Sequence, residues 1–156
     1  MPNGRDTRER GRRGPGAPPG HGLNAPTIRG DVLSADPAKI DTRAEELAES
    51  IVRAGLATSQ VRNFYGAIAK LRAESELSKQ LRQLAMHRSR LAYLTARADG
   101  KANALWDVFG PLLKDAKDEK QVSALCDFAE AVVAYHKYYE WQKKKSGRGG
   151  PYDRGE

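Results

Sequence analysis

Apolar residues recur at helical spacing through the middle of the chain, and no stretch alternates apolar and polar residues over the length of a strand. Behind Thr58, Val61, Phe64, Ile68 and Leu71 fall at i, i+3, i+7 and i+10, along one side of a helix, with Gln60, Asn63 and Lys70 opposite. Leu77, Leu81, Leu84, Leu91 and Thr95 form a second stripe. Ile40, Ala44, Leu47, Ala48, Ile51 and Val52 make an earlier one. A later and wider one runs Val122, Leu125, Phe128, Ala129, Val132, Val133, His136 and Tyr139. The expectation is an all-α fold, a compact bundle of about five helices.

Local signals set the boundaries. Asp36 followed by Pro37 reads as an N-cap and first helical residue, and Gly55 as a stop. Thr58 reads as the N-cap of a second helix, which parts from the third near Glu74 to Glu76. Asp99-Gly100 ends the third. The fourth starts at about Lys101 and carries Leu105, Val108, Phe109 and Leu112. Gly110-Pro111 inside it predicts a kink or a restart, since an interior proline costs about 3 kcal/mol. The fifth begins near Asp118. Residues 1–30 hold seven glycines and five prolines and few large apolar residues, so they read as a disordered arm. The helical domain then spans 31–142, and 143–156 reads as a disordered basic tail.

Charge divides the chain in the same way. The net charge is +7, of which residues 1–29 supply +4 and residues 143–156 supply +3. The stretch between is neutral overall but polarised. From Arg62 to Lys101 it holds nine cations against Glu74, Glu76 and Asp99. On the third helix Lys79, Arg82, Met86, Arg90, Tyr93 and Arg97 collect on the side opposite the leucines. Cations repeated every one to two turns suit phosphates, with release of counterions, and Tyr93 among them offers a ring for an unpaired base. A merely solvated face is the plainer alternative. Arg88 falls inside the apolar stripe, tied to a buried acid or marking a break in the helix.

Other chemistries find little support. His21, His87 and His136 are isolated from one another and from carboxylates at metal-ligand spacing, so no metal and no cofactor is expected. His87 stands beside the cations, within reach of a phosphate or of solvent, and His136 lies on an apolar face as a packed, hydrogen-bonded histidine. The single cysteine, Cys126, sits among apolar residues as a small core side chain. No Gly-rich phosphate loop and no converging acid–base pair is present, which argues against an enzyme. No apolar run approaches the ~20 residues that span a bilayer, and a reducing, cytoplasmic setting is the default expectation.

Three blocks, in order, resemble a known family. Thr58-Ser59-Gln60-Val61-Arg62-Asn63-Phe64-Tyr65 resembles the T-S-Q-(I/L/V)-R-x-F-Y opening of the small helical subunit of type III-A (Csm-type) CRISPR effector complexes. Arg90-Leu91-Ala92-Tyr93 with Arg97 resembles its (K/R)-(L/I)-A-Y-x-x-x-R, although Arg88-Ser89 stand where the family carries Lys-Pro. Phe128 to Tyr139 resembles its terminal F-x-E-A-(I/V)-V-A-Y-x-K-Y-Y. The resemblance implies a non-catalytic subunit of an antiviral ribonucleoprotein, present in several copies. Such copies line the channel where guide RNA pairs with target RNA and touch mainly the target-strand backbone, without sequence preference. Its implied partners are that RNA duplex, the other subunits and further copies of itself. Arg62, Arg90, Tyr93 and Arg97 lie in the matching motifs and are the first candidates for RNA contact. Lys70, Lys79 and Arg82 join them on charge geometry alone. Tyr135, Tyr138 and Tyr139 are expected in core and inter-subunit packing. A pure inter-subunit scaffold and an unrelated helical DNA-binding protein are the alternatives.

Overall fold

The computed structural model describes residues 23–148. Among them stand six α-helices and a short 3-10 turn, with no strand. They are α1 (Ala25–Leu33), α2 (Pro37–Ala54), α3 (Thr58–Ala69), the 3-10 turn (Lys70–Ala73), α4 (Leu77–Arg97), α5 (Asn103–Asp115) and α6 (Glu119–Arg148). The all-α expectation holds, with six helices rather than five.

The additional helix, α1, corrects the reading of residues 25–30 as disordered. Asn24 caps it by accepting from the Thr27 N–H at 3.0 Å, and Pro26 lies in its first turn. Ile28 and Val32, four residues apart, are both fully buried in the core. Asp31 anchors it to α2 through Arg43, whose Nε donates to Asp31 Oδ2 at 2.6 Å while Nη1 reaches Glu46 at 2.8 Å. The glycines and prolines before residue 25 had masked this short apolar pair. At the other end α6 continues through residues 143–148, which corrects the reading of that stretch as tail. Gln142 and Lys143 to Lys145 are good helix formers, and lysines near a helix C-terminus meet its dipole favourably. The remaining expectations of disorder, for residues 1–22 and 149–156, lie outside the described residues.

Asp36 caps α2 as expected, accepting from the Ala38 N–H at 3.0 Å, and Gly55 ends it in the left-handed conformation at φ 87°. Thr58 is not a cap: Ala57 holds that position, with no side-chain bond, and Thr58 is the first residue of α3. Asp99 and Gly100 close α4 with φ values of 54° and 86°.

Helix α5 passes through Pro111 without restarting. Proline lacks the N–H that would bond the carbonyl four residues back, at Asp107. Arg29 of α1 donates to that carbonyl instead, its Nη1 at 3.3 Å. Nearby, Arg88 Nε donates to the Gly110 carbonyl at 2.8 Å, and the Arg88 guanidinium lies 5.2 Å from the centre of the Trp106 ring. A Cβ on Gly110 would stand 3.2 Å from that ring, so glycine leaves the room the indole uses. Arg88 is thus neither paired with an acid nor at a break: it joins the back of α4 to α5.

Phe109 of α5 sits at the centre of the core, with Phe64 of α3 edge-on at 4.9 Å and Phe128 of α6 at 5.1 Å. Cys126 is buried beside them, its thiol 3.8 Å from the Ile68 carbonyl, and burial pushes its pKa up. Helices α2 and α6 run side by side in the same direction, as two hydrogen bonds show. Tyr135 donates to Asp41 at 2.8 Å and Tyr139 to Glu45 at 2.6 Å. The bond to Glu45 holds the Tyr139 proton and pushes its pKa up to about 12. Among the described residues no helix is long and apolar enough to cross a membrane.

Candidate nucleic-acid interface

Helices α3 and α4 meet along their apolar stripes and leave a groove between their outer edges. The groove has a volume of about 340 Å³. From α3 it takes Gln60, Asn63, Phe64 and Ala67, and from α4 His87, Arg90, Leu91, Tyr93, Leu94 and Arg97. Phe64, Ala67, Leu91 and Leu94 supply its apolar lining. Arg90, Tyr93 and Arg97, three and four residues apart, rise from one edge of α4. The Arg97 guanidinium lies 5.6 Å from the Tyr93 ring centre, and that ring is 65% exposed. Such stacking holds a flexible arginine in place while leaving its charge available. Among the described residues, neither Arg90 nor Arg97 is ion-paired.

Three of the seven residues predicted from the sequence therefore meet in this groove. Lys70 adjoins it, in a second recess that shares His87 and Arg90 and adds Gln83 and Met86. Lys79 is exposed one turn into α4 and pairs weakly with Glu76 at 3.8 Å. Arg82 is exposed on the same side of the helix, outside the groove. Arg62 stands on the far side of α3, in a small recess with Thr58, Ala134, His136 and Lys137, facing α6 rather than α4. Two other cations of the stretch are committed to the fold. Arg88 is bound to α5, and Arg72 pairs with Asp127 at 2.7 Å and Glu130 at 3.5 Å on α6, contacts that raise its pKa.

His87 overturns its expected place. It is 7% exposed, on the inward side of the groove, and neither Nδ1 nor Nε2 has a hydrogen-bond partner. Burial lowers its pKa, and the charges of Arg90 and Lys70 lower it further. The Ala67 backbone, close by but outside hydrogen-bonding geometry, pulls the other way. The imidazole is therefore neutral at pH 7. Its spacing to Leu84 and Leu91, i+3 and i+4, was the available signal for burial. His136 is also buried, as expected, but its Nε2 has no partner. Gln60 and Asn63, missed as site residues, place two amides one turn apart on the facing wall.

The groove thus presents two unpaired guanidiniums, an open phenol ring and neutral amides. That set suits a phosphate-bearing chain and its bases. Among the described residues, no cluster of three or more His, Cys, Asp or Glu could hold a metal ion.

A family model described as Csm2 Type III-A matches residues 34–142, well over half of the chain. The match covers α2 to α5 and most of α6, including both walls of the groove. No curated protein and no solved structure matches the chain.

Proposed function

The chain belongs to the Csm2 Type III-A family, that of a small subunit of type III-A CRISPR complexes, and from that premise we propose that its α3–α4 groove binds RNA backbone without reading sequence. The observation that carries this reading is the meeting of Arg90, Tyr93 and Arg97 along one groove edge, with neither arginine drawn off by a carboxylate. In the assembled complex the groove edge lines the channel of paired guide and target RNA, touching mainly the target strand. Lys70 and Arg82 add charge beside it. The subunit is non-catalytic, works in the cytoplasm, and packs against other subunits and further copies of itself.

The test reverses the two free arginines. Arg90→Glu with Arg97→Glu is expected to weaken RNA binding at least tenfold at low salt and to flatten its salt dependence, by ~0.7 in slope for each phosphate that is no longer neutralised. Circular dichroism and melting temperature stay as in the wild type, because neither side chain supports the core. Wild-type affinity in the double variant, alone and in the assembled complex, would sink this reading. A complex that fails to assemble, with RNA protection intact wherever it does assemble, identifies a scaffold instead. Preference for duplex DNA in direct competition identifies a DNA-binding protein.

A further inference from the structure

Helix α6 carries a second array of rings and cations that the groove does not use. Ala134, Tyr138, Trp141 and Lys145 fall at i, i+4, i+7 and i+11, on one side of the helix. Trp141 is 51% exposed and Tyr138 45%. Their ring centres are 6.0 Å apart, with planes inclined by 39°. Lys145 Nζ lies 5.0 Å from the Trp141 ring centre, and Gln142 donates to the Tyr138 hydroxyl. No acid occurs between Trp141 and Ser146, and Lys143, Lys144 and Lys145 are all exposed. Toward the other end of the stripe, the recess between α3 and α6 adds Arg62 and Lys137 beside Ala134.

Neighbouring tyrosines mark the contrast. Tyr135 and Tyr139 point to α2 and spend their hydroxyls on Asp41 and Glu45. Among the described residues Tyr138 and Trp141 have no hydrogen bond to α2: Tyr138 rests edge-on against Tyr139 at 5.1 Å, and both rings keep about half their surface in solvent. Large exposed rings in a row are unusual on a soluble surface unless something covers them. The cations call for a polyanion, and the ring faces call for flat partners. Unpaired nucleotides supply both at once, whereas an acidic protein surface would answer only the charge. We propose that this stripe is a second nucleic-acid contact, on which unpaired bases stack against Trp141 and Tyr138 while Arg62, Lys137 and Lys145 hold the phosphates. It uses side chains separate from the groove, so the two sites stand or fall independently.

Trp106 and Trp141 are the two tryptophans of the chain, which makes the stripe its own reporter. In full-length Trp106→Phe, the tryptophan emission, excited selectively over the six tyrosines, comes from Trp141 alone. Titration with single-stranded oligouridine is expected to quench that emission, while heparin, a polyanion without bases, binds without quenching it. Trp141→Leu, a change at an exposed position, should weaken oligouridine binding roughly fivefold to tenfold by anisotropy. The quench should persist in the Arg90→Glu, Arg97→Glu background, which separates this site from the groove. If Trp106→Phe fails to fold, the emission difference between wild type and Trp141→Leu gives the same readout. Bound oligouridine that leaves Trp141 emission unchanged overturns the proposal, as does quenching by heparin of equal size. Wild-type RNA affinity in Trp141→Leu, with loss of complex assembly, overturns it in favour of a protein partner.

Discussion

Along the seam between α2 and α6, the polar groups at the edge are spent on one another: Tyr135 on Asp41 and Tyr139 on Glu45. Along the groove between α3 and α4 they are left over. Arg90 and Arg97 face no carboxylate among the described residues, and the His87 nitrogens have no partner at all. Both regions border the same core, and both mix aromatic and charged side chains. The difference lies in whether hydrogen-bonding capacity is consumed by the fold. Where it is consumed, substitution should alter stability; where it is kept, substitution should alter what the protein binds.

The sharpest division between the two comes from removing the stacked pair. Tyr93→Ala with Arg97→Ala is expected to weaken RNA binding by tenfold or more, on the order of 1–3 kcal/mol per stacked base, and to leave the urea midpoint unchanged. A fall in the midpoint with unaltered affinity would place this pair with the seam. Tyr139→Phe should do the reverse. It removes a bond to a half-buried carboxylate, worth about 1 kcal/mol after partial solvent screening, and RNA affinity should not move.

The smallest effect concerns His87. Its pKa in the folded chain is lowered, so the unfolded chain binds more protons as the pH falls. Its contribution is therefore complete above about pH 6.5, the unfolded value, and declines as the pH drops below it. His87→Leu should flatten this slope, measured as urea midpoint against pH, with stability at pH 7 unchanged or raised by less than about 1 kcal/mol. Some slope should remain from His136, whose pKa burial also lowers against the opposing pull of Glu140 and the Leu56 backbone. An unaltered slope would show that His87 finds a proton partner in solution.

Much of the fold could be read from local rules because the signals were themselves local. Asp36 with Pro37, Gly55, and Asp99 with Gly100 each act within a turn or two, and each does what its chemistry predicts. Thr58 is the local signal that failed, by one residue, and the other misses have a different origin. Helix α1 is short, and its two core residues were diluted by the composition of the segment before them. Arg88 lay in the apolar stripe with no acid to explain it, because its partner is a main-chain carbonyl on another helix. Side-chain patterns carry no record of such a partner. His87 was legible by its spacing to Leu84 and Leu91, but the neighbouring cations pointed to a phosphate or to solvent instead. In the candidate site, periodicity put Arg90, Tyr93 and Arg97 on one edge, and packing made that edge one wall of a groove. For Arg62 periodicity could name the side of α3, but whether that side faces α4 or α6 depends on how the helices cross.

The bond from Arg29 to the Asp107 carbonyl bears on where this unit can be cut. The family match starts at residue 34, after α1 has ended. A shortened chain that began there would keep both walls of the groove and the whole stripe on α6. It would also lose the Ile28 and Val32 side chains from the core and leave the proline turn of α5 open to water. At this end the matched residues therefore stop one helix short of the packed fold. α1 acts as a splint, closing the hydrogen-bond gap that Pro111 makes in α5 from outside the matched residues.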